Sequence, residues 1–335
     1  MTERYSKLAP LNQEERAAFC IMLCSFFSPM KNAELRQELQ LPIEEGVIRP
    51  LSLLDFFKWT KLKGSDLWPK MFRIQELVLR LEQKGVLVNA GTNGKGLGLS
   101  TCFYFGYERS SLAQKGRLWL GNVLGADYIG YEIKKDLVLI TGVTPAGDCA
   151  VGTGLLIIPG VVLTCAHVVD DMKIEEQVEI GSRKFKVGKC LSSKNADVGI
   201  IFLEEQVAPS LQDIALRSAH SLEEIVIAGY PTIPRGLSPT ITLHRGEICG
   251  RVENTMDGCP LELFSAIARP GNSGGPVVGL DGRIVGIVTR SLERPREEAD
   301  PMVPLPFFSA VPADVIQEEF ENLTEGLQLP WEAYQ

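Results

Sequence analysis

One segment near the carboxyl end of this 335-residue chain constrains its fold more than any other: Ala268-Arg269-Pro270-Gly271-Asn272-Ser273-Gly274-Gly275-Pro276. Glycines and a proline crowd around a single serine, with apolar runs on either side. Residues of this kind make tight connections between strands. They can also hold a hydroxyl outward with bare backbone N–H groups beside it. Acyl-transfer chemistry needs that arrangement, because such N–H groups stabilise the oxyanion of a tetrahedral intermediate. A glycine-rich hairpin without chemistry has the same composition, so the choice depends on what lies upstream.

Two upstream features bear on it. Leu163-Thr164-Cys165-Ala166-His167-Val168-Val169 closes an apolar, strand-like run that starts near Gly154. A lone histidine there would read as a satisfied core residue. In Asn195-Ala196-Asp197-Val198-Gly199-Ile200-Ile201-Phe202-Leu203 an aspartate opens a β-branched run that reads as a buried strand. An acid at such a place needs a partner to offset its desolvation. The residue types of nucleophilic catalysis thus follow in the order His167, Asp197, Ser273, with intervals of 30 and 76 residues. Asp170 and Asp171 are competing acids, but they follow the histidine too closely to reach back and read as a solvated loop.

That order, with its flanking words, resembles the chymotrypsin-like (trypsin-like) serine peptidases, and among them the compact bacterial HtrA/Deg-type branch. The resemblance covers roughly residues 137–320. It rests on Gly152-Thr153-Gly154, the words around His167 and Asp197, Gly229-Tyr230-Pro231 and Arg269–Val278. It implies a double β-barrel and a serine endopeptidase: Ser273 as nucleophile, His167 as general base, Asp197 orienting the imidazole, and the N–H groups of Gly271 and Ser273 as oxyanion hole. It places Ile267 at the base of the primary specificity pocket, which gives no support for a Lys or Arg preference. It also implies that the strand Gly282–Thr289, with Ile284, Val285, Gly286 and Ile287, forms the pocket wall that pairs with substrate backbone. Small or medium apolar side chains are expected at the cleavage position, with Arg269 and Arg283 as residues able to alter that. Asn272 departs from the digestive enzymes, where an aspartate pairs with a newly cut amino terminus. Activation by such a cut is not expected.

The whole chain reads as a multidomain α+β protein: a mainly helical domain over residues 1–106 with a resemblance to winged-helix architecture, a connector over 107–136, and the peptidase domain over 137–335 with a terminal helix. Residues 13–28 carry helical periodicity ended by Ser28-Pro29. Residues 32–39 read as a second helix with Asn32 as N-cap, and Phe72–Gly85 as an amphipathic helix closed by glycine. Val86-Leu87-Val88, a glycine-rich turn and Thr101–Phe105 then resemble the wing of a winged helix. Gly94–Gly98 lacks the spacing of a phosphate loop. Glu293–Pro306 reads as a surface loop, and Pro312–Phe320 as the terminal helix.

Charge separates the parts. Residues 1–145 carry 19 Lys and Arg against 15 Asp and Glu, and the remainder has a net charge of −12. The basic excess is scattered among acids, so protein contact is favoured over nucleic acid for the amino-terminal domain. The apolar stretch Ala17–Phe27 follows Glu14-Glu15-Arg16 and has no cleavage signature, so it reads as a buried helix rather than a signal peptide. With no long apolar run, no membrane span is expected. The 8 cysteines show neither a CxxC pair nor clustered histidines. No metal site or cofactor is expected, and reduced thiols point to a cytoplasmic location. Two rival readings remain: a catalytically silent scaffold on the same fold, and a DNA-associated regulator that cleaves itself.

Overall fold

A computed structural model of the chain describes residues 10–44, 46–92, 101–106, 116–256, 258–290 and 307–332. Most of the glycine-rich turn, the 107–115 part of the connector, and the Glu293–Pro306 loop lie outside the described residues. Contacts divide the chain into two compact units, residues 1–114 with 122–124 and residues 115–121 with 125–335.

In the first unit, helix α1 (Gln13–Phe26) opens on a capping box. The Asn12 side chain accepts the Glu15 N–H at 2.8 Å and the Glu15 carboxylate accepts the Asn12 N–H at 3.1 Å. Helix α2 (Asn32–Glu38) has Lys31, not Asn32, at its cap position. The Asn32 side chain instead donates to the Arg49 carbonyl at 2.9 Å. Strand β1 (Leu51–Ser52) leads into α3 (Leu53–Leu62), which has its own capping box from Ser52 and Asp55. Helix α4 (Met71–Gln83) buries Ile74, Leu77, Val78 and Leu81, the i, i+3, i+4, i+7 stripe of an amphipathic helix. Strands β2 (Leu87–Thr92) and β3 (Cys102–Gly106) follow, and the sheet order is β1-β3-β2. Phe26, Phe27, Phe56 and Tyr104 meet edge to face in the core, with Phe26 and Phe56 centroids 5.3 Å apart.

The second unit begins upstream of the expected boundary. Helix α5 (Ala126–Ile133) puts Ile129 and Ile133 into the same apolar core as Leu137. Residues 125–136 are therefore part of this unit rather than a free connector. Six strands then close a first barrel, in the ring order β4-β5-β6-β10-β9-β8. They are β4 (Leu137–Val143), β5 (Cys149–Ile158), β6 (Val161–Thr164), β8 (Gln177–Ile180), β9 (Arg183–Ser192) and β10 (Gly199–Leu203), with the short β7 (Lys173–Ile174) attached to β4. A second closed barrel has the order β11-β12-β13-β16-β15-β14. Its strands are β11 (Glu224–Gly229), β12 (Thr242–Val252), β13 (Leu261–Phe264), β14 (Pro276–Gly279), β15 (Ile284–Val288) and β16 (Phe308–Pro312). Closure pairs every barrel strand on both sides and removes the open edges of the sheets. Helix α6 (Ala166–Asp170) follows β6, and α7 (Ala313–Leu323) follows β16.

Asp136 ties the entrance of the first barrel to a distant loop. Its carboxylate, 1% exposed, accepts the N–H groups of Ser210 at 2.7 Å and Leu211 at 2.8 Å. Burial pushes its carboxyl up and the two amides oppose that shift. Asp136→Ala leaves both amides without an acceptor, at about 1–3 kcal/mol each. Chemical denaturation should show the second unit destabilised by that order, and an unchanged midpoint would show that the loop re-pairs elsewhere.

Candidate functional site

Strand register brings the histidine and the aspartate together. Strands β6 and β10 are antiparallel, with Thr164 opposite Gly199. His167 lies just beyond the end of β6, on the first turn of α6, and Asp197 just before the start of β10. The two residues therefore project from the same end of one strand pair. His167 Nδ1 lies 2.7 Å from Asp197 Oδ2 and 3.0 Å from Oδ1, and the His167 backbone N–H donates to Oδ1 at 3.0 Å. From the second barrel, the Thr289 hydroxyl donates to Asp197 Oδ2. Burial opposes the Asp197 charge, but the hydrogen bonds and charge of His167, together with the Thr289 hydroxyl, outweigh it and hold the carboxyl well below the usual aspartate range. An ionised carboxylate can only accept, so this network assigns the ring proton to Nδ1 and leaves Nε2 as an acceptor. The competing acids are engaged elsewhere: Asp170 accepts the Ser192 hydroxyl at 2.8 Å and Asp171 pairs with Arg290.

Ser273 reaches the same place from the second barrel, on the loop between β13 and β14. Its carbonyl accepts the Thr153 N–H of β5 at 2.9 Å, and Gly274 N–H donates to the Val288 carbonyl at 2.8 Å. Gly274 has φ +82°, and a Cβ there would stand 2.1 Å from the Thr153 carbonyl oxygen. Only glycine allows that approach. Ser273 and His167 line one cavity of about 570 Å³. Among the described residues the Ser273 hydroxyl has no hydrogen-bond partner. Catalytic contacts of free enzymes commonly tighten only when substrate binds.

A full accounting of the loop's backbone groups locates the oxyanion donors. The Pro270 carbonyl accepts the Thr232 N–H and the Asn272 carbonyl accepts the Gly275 N–H, both at 2.9 Å. The Gly271 carbonyl accepts the Thr153 hydroxyl at 2.6 Å, and the Asn272 N–H donates to the Arg269 carbonyl at 2.9 Å. Each trans peptide carries its C=O and the next N–H on opposite sides. Fixing the carbonyls of Pro270 and Asn272 therefore turns the N–H groups of Gly271 and Ser273 the other way. Among the described residues those two N–H groups donate to nothing.

The cavity wall corrects part of the expectation. Ile267, 49% exposed, lines the cavity with Ala268, Arg269 and Phe308. Ile284, Val285, Gly286 and Ile287 do not. They form β15, which pairs with β14 on one side and β16 on the other, so its backbone has no free edge for a substrate. Ile284, Val285 and Ile287 are at most 1% exposed. An all-apolar run fits a doubly paired core strand better than a cleft wall. Of the expected wall Gly282–Thr289, the end residue Thr289 lines the cavity, and Arg290 beyond it does too. Arg283 is also removed from the cleft: it is 3% exposed, paired with Glu332, and donates to the Asp213 carbonyl at 3.1 Å.

Thr153 and Thr289 are the functional neighbours that sequence reasoning did not single out. Both are hydroxyl residues within or at the end of apolar strands, and that pattern was the available signal. Cys165, His167 and Asp197 gather a thiol, an imidazole and a carboxylate within 4.8 Å. The set suits a metal poorly. Burial and the Asp197 charge push the Cys165 thiol well up, whereas a ligand must be a thiolate, and Asp197 is already engaged by His167 and Thr289.

Comparison with known proteins finds similarity to serine peptidases. Residues 152–287 match the family model described as a trypsin-like peptidase domain. Over 146 residues the chain is 30% identical to a protein named as a probable periplasmic serine endoprotease, DegP-like, from Chlamydia pneumoniae, covering 41% of this chain and 28% of that protein. It is also 30% identical over 144 residues to the serine protease Rv3671c of Mycobacterium tuberculosis, covering 41% of this chain and 35% of that protein. The chain thus spans well under half the length of these relatives. The crystal structure of the active form of that mycobacterial protease superimposes with a TM-score of 0.47 at 20% identity, covering 60% of this chain and 86% of the other.

Asp197→Asn removes the acceptor charge while keeping the shape. It is expected to lower kcat by a factor on the order of 10⁴ by misassigning the histidine tautomer, with KM little changed. Because the folded carboxyl titrates below its ordinary value of 3.8, its stabilisation is present above that value and is lost as pH falls towards the folded one. The stability gap between wild type and Asp197→Asn should therefore be flat from neutral pH to about pH 5 and shrink below about pH 4. A gap that closed near neutral pH would assign the stabilisation to another group.

Proposed function

We propose that this chain, whose residues 152–287 form a trypsin-like peptidase domain, is a serine endopeptidase that works through an acyl-enzyme. One observation carries the reading: His167, paired with Asp197, lines the same cavity as a serine whose loop keeps two N–H groups undonated. Ser273 Oγ attacks the scissile carbonyl as His167 Nε2 takes its proton. The carbonyl oxygen becomes an oxyanion held by the Gly271 and Ser273 N–H groups. His167 returns the proton to the leaving amine, and the amine departs as the acyl-enzyme forms. Water then attacks the ester by the same route, giving its proton to His167 and releasing the carboxylate product and the serine hydroxyl. Asp197 stays ionised throughout and stabilises the imidazolium. A small or medium apolar side chain before the cut fits the lining of Ile267, Ala268 and Phe308. The reduced state of the thiols fits a cytoplasmic location.

The first unit is read as a winged-helix docking module. Its order of helices, strand, helices and hairpin, with the sheet order β1-β3-β2, supports this. A protein partner is favoured over nucleic acid, because on α4 the Glu76 carboxylate pairs with Arg80 at 2.9 Å and lies 3.8 Å from Arg73. A carboxylate already pairing those cations weakens their attraction for phosphate. A DNA mobility shift at low salt that charge reversal of Arg73 and Arg80 abolished would contradict that choice. No shift is expected.

Labelling with a fluorophosphonate probe tests the peptidase reading. Wild type should label at one serine, and both Ser273→Ala and His167→Ala should abolish the signal. A wild type that stays unlabelled both when purified and in cell lysate would favour the silent scaffold.

A further inference from the structure

Glycine is the residue least able to hold its own backbone, because it has no Cβ to exclude alternative dihedrals. Gly271, at φ +97°, must therefore be held from outside if its N–H is to stay aimed at the cavity. The Pro270 carbonyl bond to Thr232 N–H fixes the peptide before it. The peptide after it is fixed by Thr153.

Thr153 sits on β5 in the first barrel and is fully buried. Two of its groups, the N–H and the hydroxyl, are committed across the barrel interface. Its N–H donates to the Ser273 carbonyl at 2.9 Å. Its hydroxyl accepts the Tyr230 N–H at 2.9 Å and donates to the Gly271 carbonyl at 2.6 Å. Its own carbonyl accepts the Thr164 hydroxyl at 2.7 Å. The direction of the hydroxyl bonds is forced. An amide N–H can only donate, so Thr153 Oγ1 accepts from Tyr230, and its single proton is left for the Gly271 carbonyl. A group with one donor and a dictated acceptor has no alternative orientation that satisfies all its buried neighbours.

Resting on the peptidase reading above, we infer that the Thr153 hydroxyl is a positioning group for the oxyanion hole. It locks the Gly271–Asn272 peptide to Tyr230 and to β5, and so keeps the Gly271 N–H aimed at the site where the oxyanion forms. It touches neither substrate nor reacting atoms. Its effect is on the transition state, because the oxyanion develops only on the way to the tetrahedral intermediate, and ground-state binding of a peptide does not depend on it.

Thr153→Val keeps the side-chain shape and removes the hydroxyl, and Thr153→Ser keeps the hydroxyl. On a fluorogenic peptide selected with wild type, Thr153→Val should lower kcat roughly 10- to 100-fold with KM within about twofold, the scale of a donor displaced rather than deleted. Thr153→Ser should recover most of the loss. A second readout separates positioning from general damage. A peptide trifluoromethyl ketone accepts Ser273 Oγ at its carbonyl carbon, and the serine proton passes to His167 as the ketone oxygen becomes an oxyanion. The matching peptide alcohol forms none. Thr153→Val should weaken the ketone by the same factor as kcat and leave the alcohol unchanged.

An unchanged kcat, equal weakening of ketone and alcohol, or no rescue by serine would each overturn the inference. Should wild type neither cleave nor label, the peptidase reading fails while the crystal structure of Thr153→Val still judges this one. Peptides around Gly271 unmoved from their wild-type orientation overturn it, and a turned Gly271 N–H supports it.

Discussion

Two backbone N–H groups kept free beside a serine are a costly arrangement, because a folded chain gains by pairing every such group that water cannot reach. The loop from Pro270 to Ser273 resolves this by tying each of its carbonyls to a donor outside its own peptide: Thr232, Thr153, Gly275 and Thr153 again. With the carbonyls anchored, planar peptides leave the two N–H groups no internal acceptor to turn towards. The rest of the second unit can be understood as what brings those donors into range. Strand β5 belongs to the first barrel, the Tyr230–Thr232 segment follows β11 of the second, and the loop itself precedes β14. Neither barrel alone supplies all the partners.

The same division governs the charged half of the site. His167 and Asp197 come from adjacent ends of β6 and β10, but the hydroxyl that completes the Asp197 shell, Thr289, follows β15. A carboxylate buried this far stays ionised only if its hydrogen bonds outweigh desolvation. The loop leading to it is itself held at the other end. The Ser193 hydroxyl pairs with Glu319 of α7 and accepts the Asn195 N–H at 3.0 Å. Barrel closure, the terminal helix and the histidine together fix one oxygen pair, so the geometry of the acid is a property of the whole unit.

The sequence showed the chemistry more clearly than the surface around it. His167, Asp197 and Ser273 were readable because each breaks the pattern of its surroundings: a polar residue after an apolar strand, an acid before one, a serine among glycines. The pocket wall was misplaced for the opposite reason. Ile284 to Ile287 look like any β-strand, and period-two reasoning cannot tell a strand paired on both edges from one left open to a substrate. Thr153 and Thr289 were hidden because a threonine in a strand is ordinary, and only the register reveals what its hydroxyl meets. In the first unit the long amphipathic α4 is legible from its stripe, whereas β1 and α3 leave no such signal. Leu51-Ser52-Leu53-Leu54-Asp55-Phe56-Phe57 carries no clean period, and its strand-to-helix switch is set by the Ser52–Asp55 cap.

Asn272 shows how the loop differs in kind from one organised by charge. An aspartate there would place an ionised group in an environment where the side chain is 1% exposed, and would need a buried cation to offset its desolvation. The digestive peptidases that this chain resembles meet that demand with a newly formed ammonium, which couples loop order to a cut. A neutral amide imposes no such requirement. The order of the oxyanion loop then depends on hydrogen bonds made by Thr153 of the first barrel and by Thr232 within the second.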